Sequence, residues 1–336
     1  MQQNFILGLA GLDHYDGTAV VTIGSFDGMH LGHQQILKRV IAEARRLAID
    51  SAVVIFEPQP HEFFAKKHSP VGMPSKPSAR LMRLREKVDA LLAMGITKVV
   101  CLRFNAQLRA LTAEQFITQV LVQGLHVKHL EIGDDFRFGC DRRGDFALLQ
   151  AAASAHDFSV ANSQTFIAQG ERVSSTRVRG LLAEHRLTEA TNLLGKPYSI
   201  SGRVIYGRQL GRTLGVPTAN MGLGRYAAAL AGVYAVRVKA AGEYFLGVAN
   251  VGVKPTLEGK HKAVLEVHLF DFNGDLYGQF ITVEFGKALR NEQKFASIDA
   301  LKQQINTDIA HAKNYFNTPV KDGFNNPVKD CFNNPD

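Results

Sequence analysis

Along the first half of the chain the hydrophobic positions switch between two periods. Residues 19–24 (Ala-Val-Val-Thr-Ile-Gly) are a short continuous apolar run of the kind that fills a buried strand. Ile36, Leu37, Val40, Ile41, Ala44 and Leu47 follow at helical spacing and predict an amphipathic helix. A run at 52–56 predicts a second strand, Leu81, Leu84, Val88, Leu91 and Leu92 a second helix, and 97–102 a third strand. A helix near 112–122 and a strand near 128–133 continue the series. Continuous apolar strands alternating with amphipathic helices predict a doubly wound α/β domain, a parallel sheet covered on both faces. Such sheets bind ligands at the carboxyl ends of their strands.

The pattern changes near residue 195. A helix over roughly 177–194 is closed by the stop signal Gly195-Lys196-Pro197. Short strands then succeed one another at 198–206, 232–239, 244–253, 263–270 and 280–285, with a turn signal at Asn273-Gly274. Strands without intervening helices predict a small antiparallel β-barrel, followed by a C-terminal helix over roughly 297–313. The domain boundary is expected within 185–196, dividing the chain into 1–186 and 187–316. Beyond it, Phe316-Asn317-Thr318-Pro319-Val320-Lys321-Asp322 recurs as Phe324-Asn325-Asn326-Pro327-Val328-Lys329-Asp330 and begins again at Phe332. This repeat is too short and too polar to bury a core, so 317–336 is expected to be a disordered tail.

Composition narrows the class. With 336 residues, 46% hydrophobic and 21% charged, the chain reads as two globular domains and excludes wholesale disorder and fibrous repeats. No apolar run approaches the ~18 residues of a membrane span. Phe5-Ile6-Leu7 has no Lys or Arg ahead of it, so no signal peptide is expected. Three scattered cysteines, Cys101, Cys140 and Cys331, suit neither a disulfide framework nor a cysteine zinc site and point to a reducing cytoplasm. The net charge of +8 suits nucleic acid or polyanionic small molecules. The absence of any run of five consecutive Lys or Arg weakens the first reading.

The first strand runs into Gly24-Ser25-Phe26-Asp27-Gly28-Met29-His30-Leu31-Gly32-His33. Two histidines three apart then open a helix whose N-terminus favours anions, beside glycines that let a phosphate approach the backbone. Alone, the histidine pair also reads as a metal site or as two surface residues. Ser174-Ser175-Thr176-Arg177-Val178-Arg179 offers hydroxyl caps, backbone N–H groups and Arg179 at a second helix start. Alone, that segment reads as an ordinary cap. Together the two resemble the His-x-Gly-His and Ser-Ser-Thr-x-x-Arg signatures of the nucleotidyltransferase superfamily. Phe56-Glu57-Pro58-Gln59-Pro60-His61-Glu62-Phe63 and Gly133-Asp134-Asp135-Phe136-Arg137-Phe138-Gly139 resemble the N-terminal module of bacterial riboflavin kinase/FMN adenylyltransferases (FAD synthetases). The resemblance implies a Rossmann-like domain, with His30 and His33 on the ATP phosphates. It puts Ser175, Thr176 and Arg179 on the departing pyrophosphate, and Gly24, Phe26, Asp27 and Gly28 around the adenosine and phosphates. Asp135, where relatives often carry Asn, would lie near the flavin phosphate or the ATP.

In the second half, Gly207, Gly211 and Gly215 recur every four residues and lead into Pro217-Thr218-Ala219-Asn220. By spacing alone this is a tight barrel turn, and it is not a Walker motif. Thr218 and Asn220 stand two apart on an extended chain and so point the same way, offering hard oxygen ligands suited to Mg²⁺. In Leu265-Glu266-Val267-His268-Leu269, alternation puts Glu266 and His268 on one face, where Glu266 reads as solvent-facing. The segments resemble the riboflavin kinase signature. That resemblance implies a nucleotide held by Gly207, Gly211, Gly215, Thr218 and Asn220, Mg²⁺ on Thr218 and Asn220, and Glu266 as the base that activates the ribityl hydroxyl. It further implies ATP as co-substrate, with riboflavin, FMN and FAD as substrates and products. The expected partners are small molecules alone, with no nucleic acid, membrane or obligate protein partner, in a monomer or weak homo-oligomer.

Two rivals have distinct signatures. A flavin-binding regulator without catalysis has no need of Glu266. An RNA-binding barrel calls for interleaved basic and aromatic residues, and the chain has no Trp.

Overall fold

A computed structural model describes residues 4–68, 79–168, 170–207, 211, 214–223, 228–255 and 261–318. By internal contacts the chain divides into two compact units, Met1–Ser78 with Met82–Ser175, and Ala79–Leu81 with Thr176–Asp336. This division groups residues 176–186 with the barrel.

In the first unit the strands β1 (Phe5–Leu7), β2 (Ala19–Ile23), β3 (Asp50–Glu57), β4 (Lys98–Arg103), β5 (Val127–Gly133) and β6 (Ser159–Ser163) form one sheet. Its order is β1-β4-β3-β2-β5-β6, with every pair parallel. The helices are α1 (Leu31–Leu47), α2 (Pro60–His68), α3 (Leu84–Ala93), α4 (Ala106–Ala110), α5 (Ala113–Phe116) and α6 (Phe146–Ala155). Strand alternation feeds two cores. Ala19, Val21, Ile23 and Val54 pack with Phe116, Val120, Leu121 and Leu149, whereas Val20, Val53, Ile55 and Val99 pack with Leu37, Val40, Ile41 and Leu91. Helices therefore cover both faces, as a doubly wound sheet requires. The chain moves outward from β2 through β3 to β4 and then returns to the other side of β2 as β5. That reversal is the switch point beyond whose carboxyl ends open α/β sheets bind ligands.

Two strands of the sheet, one helical irregularity and a short hairpin were not expected. β1 is only three residues long, and β6 (Ser-Val-Ala-Asn-Ser) is a polar edge strand without the apolar run that marks its neighbours. The helix expected over 112–122 begins as α5 and continues as a π-helical stretch, Ile117–Val122. A short antiparallel hairpin, β7 (Ile167–Ala168) with β8 (Glu171–Arg172), precedes the second unit.

The second unit opens with α7 (Ser175–Ala183) and α8 (Leu187–Leu194) in place of the single helix expected. The apolar period persists across the join, which hides a break where His185 turns left-handed at φ 60°. β9 (Ser199–Ile205), β10 (Ala219–Gly222), β11 (Gly232–Ala240), β12 (Glu243–Pro255), β13 (His261–Leu269) and β14 (Phe280–Arg290) close into an antiparallel barrel of order β10-β13-β12-β11-β14-β9. β10, which is not among the strands that the apolar pattern predicts although Thr218 and Asn220 read as extended chain, supplies the pairing that closes it. Met221, Tyr234, Val236, Leu265, Val267, Ile281, Val283 and Phe285 are buried core residues. Tyr234 Oη donates to Ala231 O at 2.7 Å, so the largest of these side chains is buried without an unmet donor.

The C-terminal helix α9 (Ile298–Asn317) packs Ala312 and Tyr315 on Ala235 and Phe270. It reaches the residue at which the tail was expected to begin, and 319–336 lie outside the described residues. Arg290 of β14 ties it down. Its Nε donates to both carboxylate oxygens of Asp308 at 3.0 Å, its Nη2 to Oδ2 at 2.9 Å, and Gln304 Nε2 adds a bond of 2.9 Å. Asp308 is only 3% exposed. Asp308→Ala leaves a largely buried guanidinium unpaired and is expected to destabilise the barrel unit by about 3 kcal/mol. Denaturant unfolding measures this, with Asp299→Ala, an exposed first-turn acid of the same helix, expected to change stability by less than ~1 kcal/mol.

Candidate active sites

At the end of β2 the Gly24 N–H bonds Val54 O at 3.1 Å, holding the chain to the sheet as it turns. Phe26, Gly28 and Met29 then take left-handed backbones, with φ of 46°, 85° and 49°. Phe26 and Met29 are bulky and would avoid that region if free, by roughly 1–2 kcal/mol each. Burial of both side chains, 2% exposed, holds them there. Asp27 is fully buried between them: its Oδ1 accepts from Met82 N at 3.0 Å, and its carbonyl accepts from Ser175 Oγ at 2.8 Å.

His30 caps α1. Its Nδ1 accepts from His33 N–H at 3.3 Å, which assigns the ring proton to Nε2. The His30 and His33 rings stack at 3.6 Å and 15°, and Phe26 flanks His33 at 5.0 Å. Burial, then His30 and the buried ammonium of Lys87, hold the His33 imidazole well below its ordinary value. His33 is therefore neutral at pH 7. Its Nδ1 and Gln59 Nε2 are the buried side-chain polar atoms without a hydrogen-bond partner among the described residues. Gly24, Phe26, Asp27, Gly28, His30 and His33 thus share one turn, with Ser175 bonded to it. Thr176 and Arg179 belong to α7 in the second unit, where Arg179 Nε donates to Ala79 O at 2.6 Å.

Asp135 is differently placed from the rest. Its carboxylate pairs with Arg172 of β8 at 2.7 Å. Two further features of this unit carried no sequence signal. Glu131 of β5, 4% exposed, accepts from Arg39 at 3.3 Å, from the Ser163 hydroxyl and from His129. Burial pushes its carboxyl up, but bonds from His129, Ser163 and Arg39 outweigh that and hold it below the ordinary carboxylate range. Just past the carboxyl ends of β3 and β4, Phe63 and Phe104 meet edge to face at 5.4 Å, and Phe56 and Phe64 each lie 5.9 Å from Phe104.

In the barrel one cavity of about 430 Å³ is lined by Gly211, Thr218, Asn220 and Glu266 together. Its walls include Val216, Val233, Val248, Phe295, Leu301 and Ile305. Asn220 pairs with Glu266 across β10–β13, and Glu266 with Asn250 across β13–β12. Asn220 is 7% exposed, and its Nδ2 donates to Thr218 O at 3.3 Å. Gly207 lies against it, since a Cβ there would fall 2.6 Å from Asn220 Cγ. Gly211 is equally confined, 2.4 Å from Val216 O and 3.2 Å from Thr218 Oγ1 by the same measure. Gly215 does not line the cavity, and its φ of 79° explains the glycine. His268 Nδ1 donates to Pro217 O at 2.9 Å, pinning the Pro-Thr-Ala-Asn strand to β13. A second cavity of about 560 Å³ shares Thr218 and is flanked by Tyr206 and Tyr277, stacked at 3.9 Å.

Residues 12–177 match the FAD synthetase family and residues 194–316 the riboflavin kinase family. The Pseudomonas fluorescens bifunctional riboflavin kinase/FMN adenylyltransferase is 49% identical over 308 residues, covering 92% of this chain and 96% of its own. The chain belongs to the bifunctional riboflavin kinase/FMN adenylyltransferase family. The Haemophilus influenzae member is 48% identical and covers 89% of this chain and 94% of its own. A crystal structure titled macrolide-efflux protein, from Streptococcus pneumoniae, has a TM-score of 0.77 at 29% identity, covering 92% of this chain and 99% of that one. Among the described residues here, no helix is long and apolar enough to cross a membrane. As a riboflavin kinase/FMN adenylyltransferase, the chain phosphorylates riboflavin to FMN and adenylylates FMN to FAD.

The lowered His33 value has a consequence for stability. Unfolded, the imidazole titrates near its ordinary value of about 6.5. Between that value and its lower folded one, the unfolded chain holds a proton that the folded chain does not. Stability therefore rises with pH across this window and is lost on acidification below about pH 6.5. Melting temperatures measured from about pH 7 down to about pH 5 are expected to fall less steeply for His33→Gln than for the native chain. Equal slopes would contradict a neutral, buried His33.

Proposed function

We propose that the two reactions occupy separate sites: phosphorylation in the barrel cavity, adenylyl transfer at the turn 24–33. The observation that carries this reading is the shared lining of one cavity by Gly211, Thr218, Asn220 and Glu266, from three separate segments. The modules correspond to 1–186 and 187–316.

In the kinase reaction, Glu266 takes the proton from the 5′-hydroxyl of riboflavin as that oxygen attacks the γ-phosphorus of ATP, and ADP leaves. An alcohol needs such a base at neutral pH. The apolar walls suit the isoalloxazine ring, and the neighbouring cavity suits the nucleotide, because Thr218 lies on both. Mg²⁺ fits the donor set: a hydroxyl, and an amide whose nitrogen is already bonded to Thr218 O. Thr218 Oγ1 and Asn220 Oδ1 are the hard oxygens that would hold the ion. The remaining ligands of such an ion would come from phosphate and water, as is usual for Mg²⁺. When bound, the ion neutralises charge on the transferring phosphoryl group.

In the adenylyl transfer the FMN phosphate attacks the α-phosphorus of ATP and pyrophosphate leaves. The nucleophile is already an anion, so this site needs donors and positioning rather than a base. His30 Nε2–H and the N-terminus of α1 are such donors, and His33, whose proton affinity is lowered by burial, is too weak a base to compete. Ser175, bonded to the turn, is assigned to the departing pyrophosphate, with Gly24, Phe26, Asp27 and Gly28 forming the pocket. The phenylalanines beyond β3 and β4 offer the flavin a flat apolar surface. Two free cysteines, Cys101 and Cys140, support a reducing, cytoplasmic setting.

Glu266→Gln keeps the shape and removes the base. Phosphorylation of riboflavin is expected to slow by ~10²–10⁴-fold. Asn220→Ala is expected to slow it too and to raise the Mg²⁺ requirement. Both variants are expected to make FAD from added FMN at the native rate. Chromatography of the flavins checks this, and loss of FAD formation from FMN in Glu266→Gln would contradict separate sites.

A further inference from the structure

β2 and β5 flank the switch point of the sheet, and an ion pair stands just past the end of β5. Arg172 Nη2 lies 2.7 Å from Asp135 Oδ2 and 3.9 Å from Asp134 Oδ1. Asp134 also accepts from the Thr165 hydroxyl. The hairpin that carries Arg172 is fastened to the turn after β2 at both ends. At one end Phe166 packs on Gly32, where an added Cβ would fall 3.3 Å from Phe166 Cβ. Val173 N–H closes the hairpin on Phe166 O at 3.0 Å. At the other end Ser175 Oγ holds the Asp27 carbonyl at 2.8 Å. Arg172 is three residues from Ser175, at most about 10 Å of extended chain. The hairpin that carries Arg172 is therefore anchored, through Phe166 and Ser175, to the segment that carries His30 and His33.

The side chains of Arg172 and Asp135 are 52% and 69% exposed. An ion pair so exposed adds little to stability and exchanges partners at little cost. A guanidinium presents two parallel N–H donors that match a phosphate as well as a carboxylate. The reaction here sets a phosphate monoester dianion against a triphosphate, so a cation beside the nucleophile opposes their repulsion. The Asp135 carboxylate facing that phosphate directly would add to the repulsion. With Arg172 between them it does not.

We propose that Arg172 binds the phosphate of FMN in the adenylyl-transfer site, and that Asp135 is the positioning residue for its guanidinium rather than a ligand of the flavin. This rests on the reading of the turn 24–33 as the adenylyl-transfer site. The triphosphate is left to His30, His33 and the start of α1, so the effect falls on one substrate.

Steady-state kinetics of FAD formation from FMN test the proposal on the full chain. Arg172→Gln is expected to raise the KM for FMN by about 10- to 100-fold, the loss of a charge-assisted bidentate contact. The KM for ATP and the riboflavin kinase rate are expected to stay within about twofold. Arg172→Lys keeps the charge without the fork and is expected to fall between Arg172→Gln and native. Asp135→Asn is expected to raise the KM for FMN less than Arg172→Gln does. The exchanged pair, Arg172→Asp with Asp135→Arg, separates a structural bridge from a substrate contact. It restores the ion pair but displaces the guanidinium, so the KM for FMN is expected to stay raised at an unchanged melting temperature. Recovery of the native KM in the exchanged pair would overturn the proposal, as would a rise in the KM for ATP in place of FMN. Native FAD synthesis by a chain carrying both His30→Ala and His33→Ala would instead overturn the reading on which it rests.

Discussion

Asn220 stands opposite Glu266 in the β10–β13 ladder, and Glu266 stands opposite Asn250 in the β13–β12 ladder. Backbone pairing sets these positions, and the proposed kinase site depends on them. A slip of one residue along β10 would turn Asn220 to the other face and bring Met221 in its place. Such a slip is prevented because Met221 and Leu265, the next pair along, are core residues with no solvent exposure. The closed barrel leaves no free edge on which the register could drift. Apolar burial on one face of each strand thus fixes the polar chemistry on the other.

Parallel pairing plays the same part in the first unit. β2 ends with Ile23 opposite Val54, while β3 continues past it to Glu57. The turn takes left-handed backbones at Phe26 and Met29, held by the same apolar core that holds α1. Residue types follow the chemistry at each site. On the proposed assignment, Glu266 of the barrel serves a nucleophile that is an alcohol and needs a base. On the proposal that the turn serves adenylyl transfer, its nucleophile is a phosphate that needs no base, and burial, then His30 and the buried Lys87, hold His33 uncharged.

Much of this was legible in the residues. The alternating apolar runs foretold the doubly wound sheet, and the short strands foretold the barrel, because both patterns are local. The two signature segments led to Thr218, Asn220 and Glu266, which line one cavity although Glu266 lies far along the chain from the others. Partner choice was not legible. Glu131 draws on Arg39, 92 residues away, and Asp135 on Arg172, 37 residues away, and no periodicity encodes such pairings. The break between α7 and α8 was hidden for a related reason: the apolar stripe continues through it while the backbone turns at His185.

The proposal is that the two reactions occupy separate sites and that FMN is the free intermediate between them. Complementation tests it most directly. One chain carries His30→Ala with His33→Ala, the other Glu266→Gln, and FAD is followed from riboflavin, ATP and Mg²⁺. Loss of donors at the α-phosphate is expected to leave the first chain making FMN alone, since even one such donor is worth ~10²–10³ in rate. The second is expected to make little product from riboflavin. Mixed, the two are expected to form FAD after a lag while FMN accumulates. A mixture that stays as inactive as its parts, with both chains folded, would contradict the assignment.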